Sequence, residues 1–226
     1  MTLAAQSHKR LGSRGTPDAS KAAILQAAIR EFAREGVAGA RTDAIARAAK
    51  VNKALLYYYF RDKEALYGAA LDYVFQQRSN LLMPVLRENV PPGEKILRYA
   101  GALFDYFAAY PMHREMLQRE ILTVPRHTHV KRLMRLYFRP LFDELLKVME
   151  EGMAAGTFRR VDPMQFILSM GAVIVQYFAS APFLRLFSEG DPLSPERLGT
   201  RRAAMLDFIA AALFQPTASK IEGARS

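Results

Sequence analysis

The chain of 226 residues carries a formal charge of +10, contains no cysteine, and is hydrophobic at half of its positions. A chain of this length can bury a sizeable core in one or two domains. Without cysteine, disulfides, a thiolate nucleophile and a Cys-ligated metal are excluded. No run of about 18 consecutive apolar residues predicts a membrane span, and no apolar segment near the start is typical of a secretory signal. We therefore expect a cytoplasmic protein that is not associated with a membrane.

The positive charge is concentrated at the N-terminal end. Residues 1–63 carry 12 Lys and Arg against 5 Asp and Glu, whereas the remaining 163 residues carry 20 against 17. A basic head on a nearly neutral body is typical of nucleic-acid binding. An anionic membrane or an acidic partner would also attract a basic patch, but neither accounts for the pair of helices predicted next in the chain.

The chain is predicted to begin with an arm and a helix. Residues 1–15 show no periodicity and are predicted to be a disordered basic arm, which either reaches into a minor groove or stays in solvent. Thr, Pro and Asp at residues 16–18 predict a helix start, because they supply a cap, a first helical residue and a first-turn acid. Apolar residues recur at helical spacing as far as Phe32, and Gly36 is predicted to end the helix.

Residues 40–63, ARTDAIARAAKVNKALLYYYFRDK, predict two short helices around a tight turn. The first, at residues 42–49, is rich in alanine, which allows a second helix to cross at close range. Asn52 is a suitable N-cap for the second helix, at residues 53–60. Two helices joined by a turn of three or four residues form the helix-turn-helix layout, in which the second helix enters the major groove of DNA.

The second helix of this pair contains three tyrosines in succession. Helical geometry places Leu56, Tyr59 and Phe60 on one face and turns Tyr57 and Tyr58 to other sides. A buried helix rarely contains three successive phenols, because each buried hydroxyl needs a partner. Tyr and Lys are ordinary donors to phosphate, so the pattern favours a helix pressed onto DNA. The alternative is that the tyrosines are half-exposed core residues of an all-α protein.

Residues 20–71 resemble the DNA-binding domain of the TetR family of one-component bacterial regulators. Beyond this segment the chain is similar to the family only in length and helical character. Lys50 departs from the family pattern, which usually has glycine at this turn; we predict a positive φ, at a cost of about 1 kcal/mol, and an ammonium that points to solvent or phosphate. The residues that carry the resemblance are Phe32 and Gly36 in an Ala-rich helix, Ile45-Ala46, Val51-Asn52-Lys53, Leu56-Tyr57-Tyr58-Tyr59-Phe60, Asp62-Lys63-Glu64 and Leu66.

The resemblance implies an all-α fold with two domains. A three-helix helix-turn-helix domain is expected at residues 16–62. A helical domain for ligand binding and dimerisation, of about nine helices, is expected at residues 63–214. Residues 215–226 are expected to be a flexible tail.

The resemblance also implies the residues that contact DNA. Lys53 is expected to donate to guanine and Leu55 to touch a thymine methyl. Tyr59 is expected to be partly core, and Asp43 either accepts from cytosine or faces away. The full set comprises phosphate-binding residues at the start of the first helix, base-facing residues of the second helix and phosphate-binding residues around it: Arg41, Thr42, Asn52, Lys53, Ala54, Leu55, Tyr57, Tyr58, Tyr59 and Lys63.

The remaining helices follow from apolar stripes and proline positions. Pro84 is predicted to kink or break the helix that starts at Asp62, and Pro140 to kink a long helix at residues 128–155. The stripes predict helices at residues 62–88, 94–109, 112–122, 128–155, 163–187 and 195–214.

The second half of the chain is predicted to dimerise and to enclose a ligand. By resemblance, the helices at about 163–187 and 195–214 pair in a two-fold homodimer; the alternative is that their apolar surface is internal core. Aromatic and Met side chains could line a pocket for an apolar or aromatic inducer, although plain core packing is an alternative for each of them. Candidate polar groups are Arg114, Arg119, Glu120 and Gln176. The candidate pocket residues are Phe104, Phe107, Met116, Met134, Tyr137, Phe138, Phe166, Met170 and Tyr177.

No catalytic or metal-binding motif is visible, so we predict neither an enzyme nor a cofactor. His127 and His129 could suggest a metal site, but without Cys or a Glu-x-x-His motif they favour a polar loop or helix start. The sequence therefore predicts a ligand-responsive repressor that binds a palindromic operator in double-stranded DNA. A non-specific architectural DNA-binding protein without a ligand, and an activator of the same fold, are the alternatives.

Overall fold

A computed structural model describes residues 17–123, 128–187 and 189–215. The chain divides into two compact units, Met1–Ala70 and Leu71–Ser226. The described residues are mostly helical and contain no β-strand beyond an isolated antiparallel bridge between Phe158 and Phe214, which confirms the all-α class. Residues 1–16 and 216–226 lie outside the described residues. They include the predicted basic arm at residues 1–15 and all of the predicted tail except Gln215.

No helix in the described part of the chain is both long enough and apolar enough to cross a lipid bilayer.

The N-terminal unit contains a long helix and two short ones. Helix α1 spans Pro17–Gly39, α2 spans Thr42–Ala48 and α3 spans Lys53–Tyr59. Gly36 interrupts the regular part of α1 with a φ of 69° and a ψ of 176°, but the helix resumes and ends at Gly39 rather than at Gly36. The residues buried between these helices include Ile24, Ala28, Phe32, Ile45, Ala46 and Leu56.

The turn between α2 and α3 has the geometry that the sequence predicts. Lys50 has a φ of 57°, which confirms the predicted positive φ, and its side chain is exposed. Asn52 caps α3, because its Oδ1 accepts a hydrogen bond of 2.7 Å from the Leu55 backbone N–H. The cap and the left-handed residue together set the direction in which α3 leaves the turn.

Helix α4 spans Lys63–Leu86 and contributes residues to both units, because the division falls after Ala70. Pro84 lies in its last turn without breaking it. The other helices of the C-terminal unit are α5 (Pro92–Ala109), α6 (Pro111–Thr123), α7 (Thr128–Leu133), a π-helical segment (Met134–Phe138), α8 (Arg139–Ala154), α9 (Pro163–Ala179), α10 (Ala181–Leu184) and α11 (Pro195–Leu213).

Two long helices predicted from sequence are divided in the structure. The π-helical segment separates α7 from α8, and Pro140 lies in the first turn of α8. The helix predicted at residues 163–187 ends at Ala179, and Pro182 lies in the first turn of α10. Asp162 caps α9 as predicted, since its side chain accepts from the Gln165 N–H.

Helix α5 is the centre of the C-terminal unit. It packs against α6, α8, α9 and α11. Its buried side chains lie on several sides of the helix, as expected for an element surrounded by others. They include Ile96, Tyr99, Leu103, Phe104, Tyr106 and Phe107.

Candidate functional site

The three tyrosines of α3 have different environments. Tyr58 is 81% exposed and Tyr57 is 40% exposed, whereas Leu56 on the same helix is fully buried. Tyr59 is half-buried, and its hydroxyl donates to the Pro17 carbonyl over 3.0 Å. The half-exposed core alternative therefore fits Tyr59 but not Tyr58, whose ring stands in solvent next to Tyr59.

Lys53 and Asp43 form an ion pair between α2 and α3. The Lys53 ammonium lies 2.9 Å from Asp43 Oδ1, and both side chains are largely exposed. The hydrogen bond that Lys53 donates to the Asp43 carboxylate raises the pKa of Lys53 above its ordinary value. Sequence reasoning considered Asp43 as a cytosine acceptor or as a residue facing away, and did not foresee its ion pair with Lys53, the lysine predicted to contact bases.

A second contact joins the two helices. The Tyr57 hydroxyl lies 3.2 Å from Thr42 Oγ1, so a phosphate-binding candidate on each helix contacts the other. Asn52 uses Oδ1 as the cap of α3, which leaves its amide N–H₂ group as the donor available to DNA. Ala54 is exposed and Leu55 half-buried. The structure therefore brings most of the predicted DNA-contacting residues onto the outer surface of α2 and α3.

Glu31 is a supporting residue that sequence reasoning missed. Its side chain is buried, and Oε1 accepts from the Arg41 backbone N–H over 3.2 Å. Oε2 accepts from Arg34 at 2.9 Å. Arg41 itself is exposed at the start of α2. An acid next to the buried Phe32 on the apolar stripe of α1 was the signal that could have revealed this role.

Lys63 does not point freely into solvent. Its ammonium donates to the carbonyls of Ala38 and Ala40, at 3.2 and 3.4 Å, near the end of α1. Asp62 precedes it and caps α4, accepting from the Ala65 N–H, and this bond lowers the pKa of the Asp62 carboxyl. A phosphate contact by Lys63 stays a prediction, and it requires the ammonium to turn from these carbonyls.

The C-terminal unit contains an apolar cavity of about 520 Å³. This volume lies within the range of about 300–1,000 Å³ that is typical of small-molecule sites. Residues of α4, α5, α6, the π-helical segment, α8 and α9 form its wall. Among them are Phe75, Arg78, Tyr99, Leu103, Phe107, Leu117, Gln118, Glu120, Met134, Phe138, Leu141, Phe142, Leu145, Ile167, Leu168, Met170, Gly171, Ala172 and Val175.

Four of the nine predicted pocket residues line this cavity, namely Phe107, Met134, Phe138 and Met170. The other five lie outside the wall of this cavity, so a ligand contact by them stays a prediction that this cavity does not support. Each has another environment: Phe104 packs against Phe178 with tilted rings, Met116 is packed in the core, Tyr137 is beside Asp72, Phe166 is half-buried at the start of α9, and the Tyr177 hydroxyl donates to the Pro192 carbonyl.

The polar groups of the cavity differ from those that the sequence suggested. Of the four candidates, only Glu120 lies on the wall. Arg114 donates to the Phe107 carbonyl, Gln176 donates to Ser180, and Arg119 is exposed. Sequence reasoning did not single out Arg78 and Gln118, which do line the cavity. Arg78 lies one turn after Phe75 on α4, and a basic residue on that apolar stripe was the available signal.

Large apolar side chains stand in solvent on α9, α10 and α11. Met164 and Leu168 on α9 are about one turn apart and are 49% and 53% exposed. Phe208 on α11 is 57% exposed, and Phe183 at α10 is 63% exposed. Single exposed apolar residues are common, but a set on the last helices indicates a surface that another molecule covers.

No group of three or more potential metal ligands occurs among the residues that the structure describes. Of the two histidines that sequence reasoning weighed as a metal pair, His127 and the side chain of His129 lie outside the described residues.

In the N-terminal unit, a tight turn leads into a capped, tyrosine-bearing second helix, and the helical C-terminal unit encloses an apolar cavity. These two features together define a helix-turn-helix regulator with a ligand domain. Comparison with known proteins agrees. Residues 24–70 match the family model described as bacterial regulatory proteins, tetR family, and residues 92–209 match the tetracyclin repressor-like, C-terminal domain.

Individual relatives give the same result. The transcriptional regulator RutR of Escherichia coli is 30% identical over 166 residues, which cover 73% of this chain and 76% of RutR. The transcriptional repressor NicS of Pseudomonas putida is 27% identical over 142 residues, 63% of this chain and 67% of NicS. The structure of FadR from Bacillus subtilis in complex with stearoyl-CoA superposes with a TM-score of 0.66 at 16% identity, over 85% of this chain and 98% of FadR.

The chain belongs to the TetR family. It is a DNA-binding, ligand-responsive transcriptional regulator and not an enzyme, which confirms the function predicted from the sequence.

Proposed function

We propose that the protein is a cytoplasmic, homodimeric repressor that leaves a palindromic operator when a small apolar molecule enters the C-terminal cavity. The observation that carries the DNA-binding part is the surface formed by Lys53, Tyr57 and Tyr58 on α3 beside Arg41 and Thr42 at the start of α2. The relative NicS is a transcriptional repressor, which supports repression rather than activation.

On DNA, we assign reading and gripping roles to different side chains. Lys53 leaves Asp43 to donate to guanine, and Leu55 contacts a thymine methyl, while Ala54 allows close approach. Tyr57 and Tyr58 donate to phosphates, which adds affinity without base preference. Asn52 offers its amide group at the start of α3, while Tyr59 and Lys63 anchor the helices and reach phosphate at the edge of the contact.

The dimer is proposed to form through α9 and α11. The exposed apolar residues Met164, Leu168 and Phe208 lie on these helices. One short recognition helix reads few base pairs, so two copies related by a two-fold axis are needed for half-sites about one DNA turn apart. A two-fold contact uses the same surface on both copies, which suits a self-complementary apolar face.

The cavity is proposed to bind the inducer. Its wall is almost entirely apolar, and FadR, a protein of the same fold, is described with stearoyl-CoA, a molecule with a long apolar chain. Helix α4 starts at Lys63, directly after the recognition helix, and carries Phe75 and Arg78 on the cavity wall. Occupancy can shift DNA affinity only if the ligand binds the DNA-bound and DNA-free states differently.

The DNA-binding assignment is tested by selecting bound duplexes from a random pool and titrating the selected duplex. Tyr57→Ala should weaken binding to every sequence, whereas Lys53→Ala should also relax the base preference at one position, by about 1–3 kcal/mol. Lys147→Ala, an exposed lysine on α8, is the matched control and should change neither quantity. Wild-type affinity in both α3 variants would remove the assignment of this helix.

The dimer assignment is tested by analytical ultracentrifugation. Phe208→Glu and Met164→Glu should each shift the protein toward monomer, because a charge would be buried in an apolar contact. Leu81→Glu, at an exposed apolar position on α4, is the control. A dimer of unchanged stability in the first two variants contradicts the proposed interface.

The rival function is DNA compaction without sequence choice. Titration of specific and random duplexes at several salt concentrations separates the two, because a specific regulator binds its site about 10³-fold or more tightly than random DNA.

A further inference from the structure

Arg78 is a half-buried cation that forms no ion pair among the described residues. Its Nε atom is shielded from solvent and has no hydrogen-bond partner within the described part of the chain. Its guanidinium carbon lies 5.3 Å from the centre of the Phe75 ring and 5.9 Å from that of Phe138. The two aromatic rings hold the guanidinium in place by cation–π contacts, but they accept no conventional hydrogen bond.

No acidic side chain of a described residue forms an ion pair with Arg78 or raises its pKa. Burial lowers its pKa, and the side chains of described residues that act in the opposite direction are the phenols of Tyr99 and Tyr106. Burial of an unpaired charge is costly, so natural proteins retain such a group mainly where it has a task. The guanidinium lines the cavity, so that task concerns the cavity's occupant.

Gln118 adds a second donor to the same wall. Its Nε2 is buried and has no hydrogen-bond partner among the described residues. The Arg78 and Gln118 side chains both line the cavity, whereas nearly all of the remaining wall is apolar. The cavity wall therefore combines two N–H-bearing side chains with a mainly hydrocarbon lining, which is the pattern of a site that orients a ligand by a polar group.

We propose that the cavity binds a molecule with an apolar body and a carboxylate, that the carboxylate pairs with Arg78, and that Gln118 donates a further hydrogen bond. This inference rests on the proposed function of the cavity as the inducer site. A planar guanidinium binds a carboxylate through two parallel N–H···O bonds, a geometry that lysine cannot supply.

A single negative charge fits the cavity better than a phosphate. One guanidinium and one amide can satisfy the oxygens of a carboxylate, but they leave a phosphate dianion with unpaired oxygens and surplus charge. Glu120 also lies on the wall and is 1% exposed, so any repulsion from its carboxylate would be greater for a dianion than for a monoanion. The phenylalanine, leucine and methionine side chains of the wall would receive the ligand's apolar body.

The test compares each carboxylate with its neutral amide. Dodecanoate and dodecanamide form one pair of probes, and 2-naphthylacetate and 2-naphthylacetamide form the other. Isothermal titration calorimetry on the full-length protein should show at least one carboxylate binding about tenfold or more tightly than its amide. Equal or weaker binding of both carboxylates, or no binding of either, overturns the proposal.

Variants assign the preference to Arg78. Arg78→Met and Arg78→Gln should remove the preference for carboxylate while the amide still binds, and Arg78→Lys should keep only part of it. Arg135→Met, at an exposed arginine in the π-helical segment, should bind all four probes as the wild type does. A preference that survives in Arg78→Met and Arg78→Gln contradicts the assignment.

The same preparations are titrated with the selected operator duplex. Specific duplex binding without a carboxylate preference would overturn this inference and leave the proposed regulator intact. Loss of specific duplex binding in the wild type would overturn the proposed function itself.

Discussion

Polar side chains have opposite environments in the two units of the chain: they are exposed and paired in one, and shielded without partners in the other. On the surface of α2 and α3, the polar groups contact one another: Lys53 is paired with Asp43, and Thr42 lies beside Tyr57. In the cavity of the C-terminal unit, donor groups of Arg78 and Gln118 are buried without partners among the described residues. Separating an exposed pair of side chains costs little free energy, so the surface of α2 and α3 can exchange these contacts for contacts with DNA. The buried donors of the cavity have no such partners, and a ligand in the cavity can accept their hydrogen bonds.

The largest effect is expected from the residue that holds α3 in place. Leu56 is fully buried, so Leu56→Ala should lower the free energy of unfolding by about 3 kcal/mol and abolish operator binding. Leu55→Ala, at the half-buried neighbouring position, should cost less stability and act mainly on base preference. Urea unfolding monitored by circular dichroism measures both. Equal losses in the two variants would contradict the division of α3 into a core face and a DNA face.

The next largest effect is expected at Gly152 in the C-terminal unit, where the backbone lies close to a neighbouring ring. A Cβ added to Gly152 would lie 2.1 Å from the ring of Phe158, which is itself buried. Gly152→Ala should therefore lower the free energy of unfolding by about 2 kcal/mol, because the ring must move. Gly199→Ala on α11 meets no atom within 4 Å and should be neutral or stabilising by up to about 1 kcal/mol. A neutral Gly152→Ala would show that this core is less tightly packed than the geometry indicates.

The unpaired charge of Arg78 allows the most direct test of the difference between the two units. In the protein without ligand, Arg78→Met should raise the free energy of unfolding by about 1 kcal/mol or more, because it removes a buried, unpaired charge. The exposed Arg135→Met should change it by less than about 0.5 kcal/mol. Thermal and urea unfolding measure the difference. A strongly destabilised Arg78→Met variant would indicate that the guanidinium supports the fold rather than a ligand.

Removing the ion pair between Lys53 and Asp43 tests whether Lys53 exchanges this pair for a contact with DNA. In Asp43→Asn the lysine loses its ion pair and the DNA-facing surface loses a negative charge. Binding to any duplex should strengthen, and the slope of log K against log salt should become steeper by about 1. Asp207→Asn, at an exposed position on α11, is the control. Fluorescence anisotropy at several salt concentrations supplies the slope, and an unchanged slope in Asp43→Asn would argue against a role for the pair.

The smallest expected effect is a dependence of stability on pH. Burial lowers the pKa of His113 below 6.5, and the ring, whose Nδ1 lies 2.9 Å from the Tyr106 hydroxyl, is neutral in the fold. The unfolded chain therefore takes up a proton first, so this part of the stability is present above pH 6.5 and is lost as the pH falls through the folded-state pKa. His113→Gln should flatten the urea-derived stability between neutral and mildly acidic pH. A wild-type slope in that variant would assign the effect to other groups.

Helix caps and turns in both units can be predicted from the sequence, because the interactions that form them act over a few residues. Asn52 as the cap of α3, the positive φ of Lys50 and the cap at Asp162 in the other unit are of this kind. The ion pair between Lys53 and Asp43 was missed because it depends on how two helices cross. Arg78 was missed for the same reason, since only the packing of several helices shows which side chain meets a cavity.

The irregular parts of the C-terminal unit were also beyond sequence patterns. The π-helical segment at Met134–Phe138 has the apolar spacing of an ordinary helix, so a kink at Pro140 was the natural expectation. Likewise, a continuous apolar run concealed the end of α9 at Ala179. Periodicity identifies a helix but does not resolve a local change in its winding.

The central claim is that α3 reads DNA sequence and that the cavity controls this binding. The most direct measurement is the anisotropy of a labelled, selected duplex with the full-length protein, repeated with a shuffled duplex of the same composition and then with a ligand that calorimetry has shown to bind. The account predicts a preference of about 10³-fold for the selected duplex and a substantial reduction of that affinity when the cavity is filled. Equal affinity for the two duplexes, or an affinity for the selected duplex that the bound ligand leaves unchanged, would contradict it.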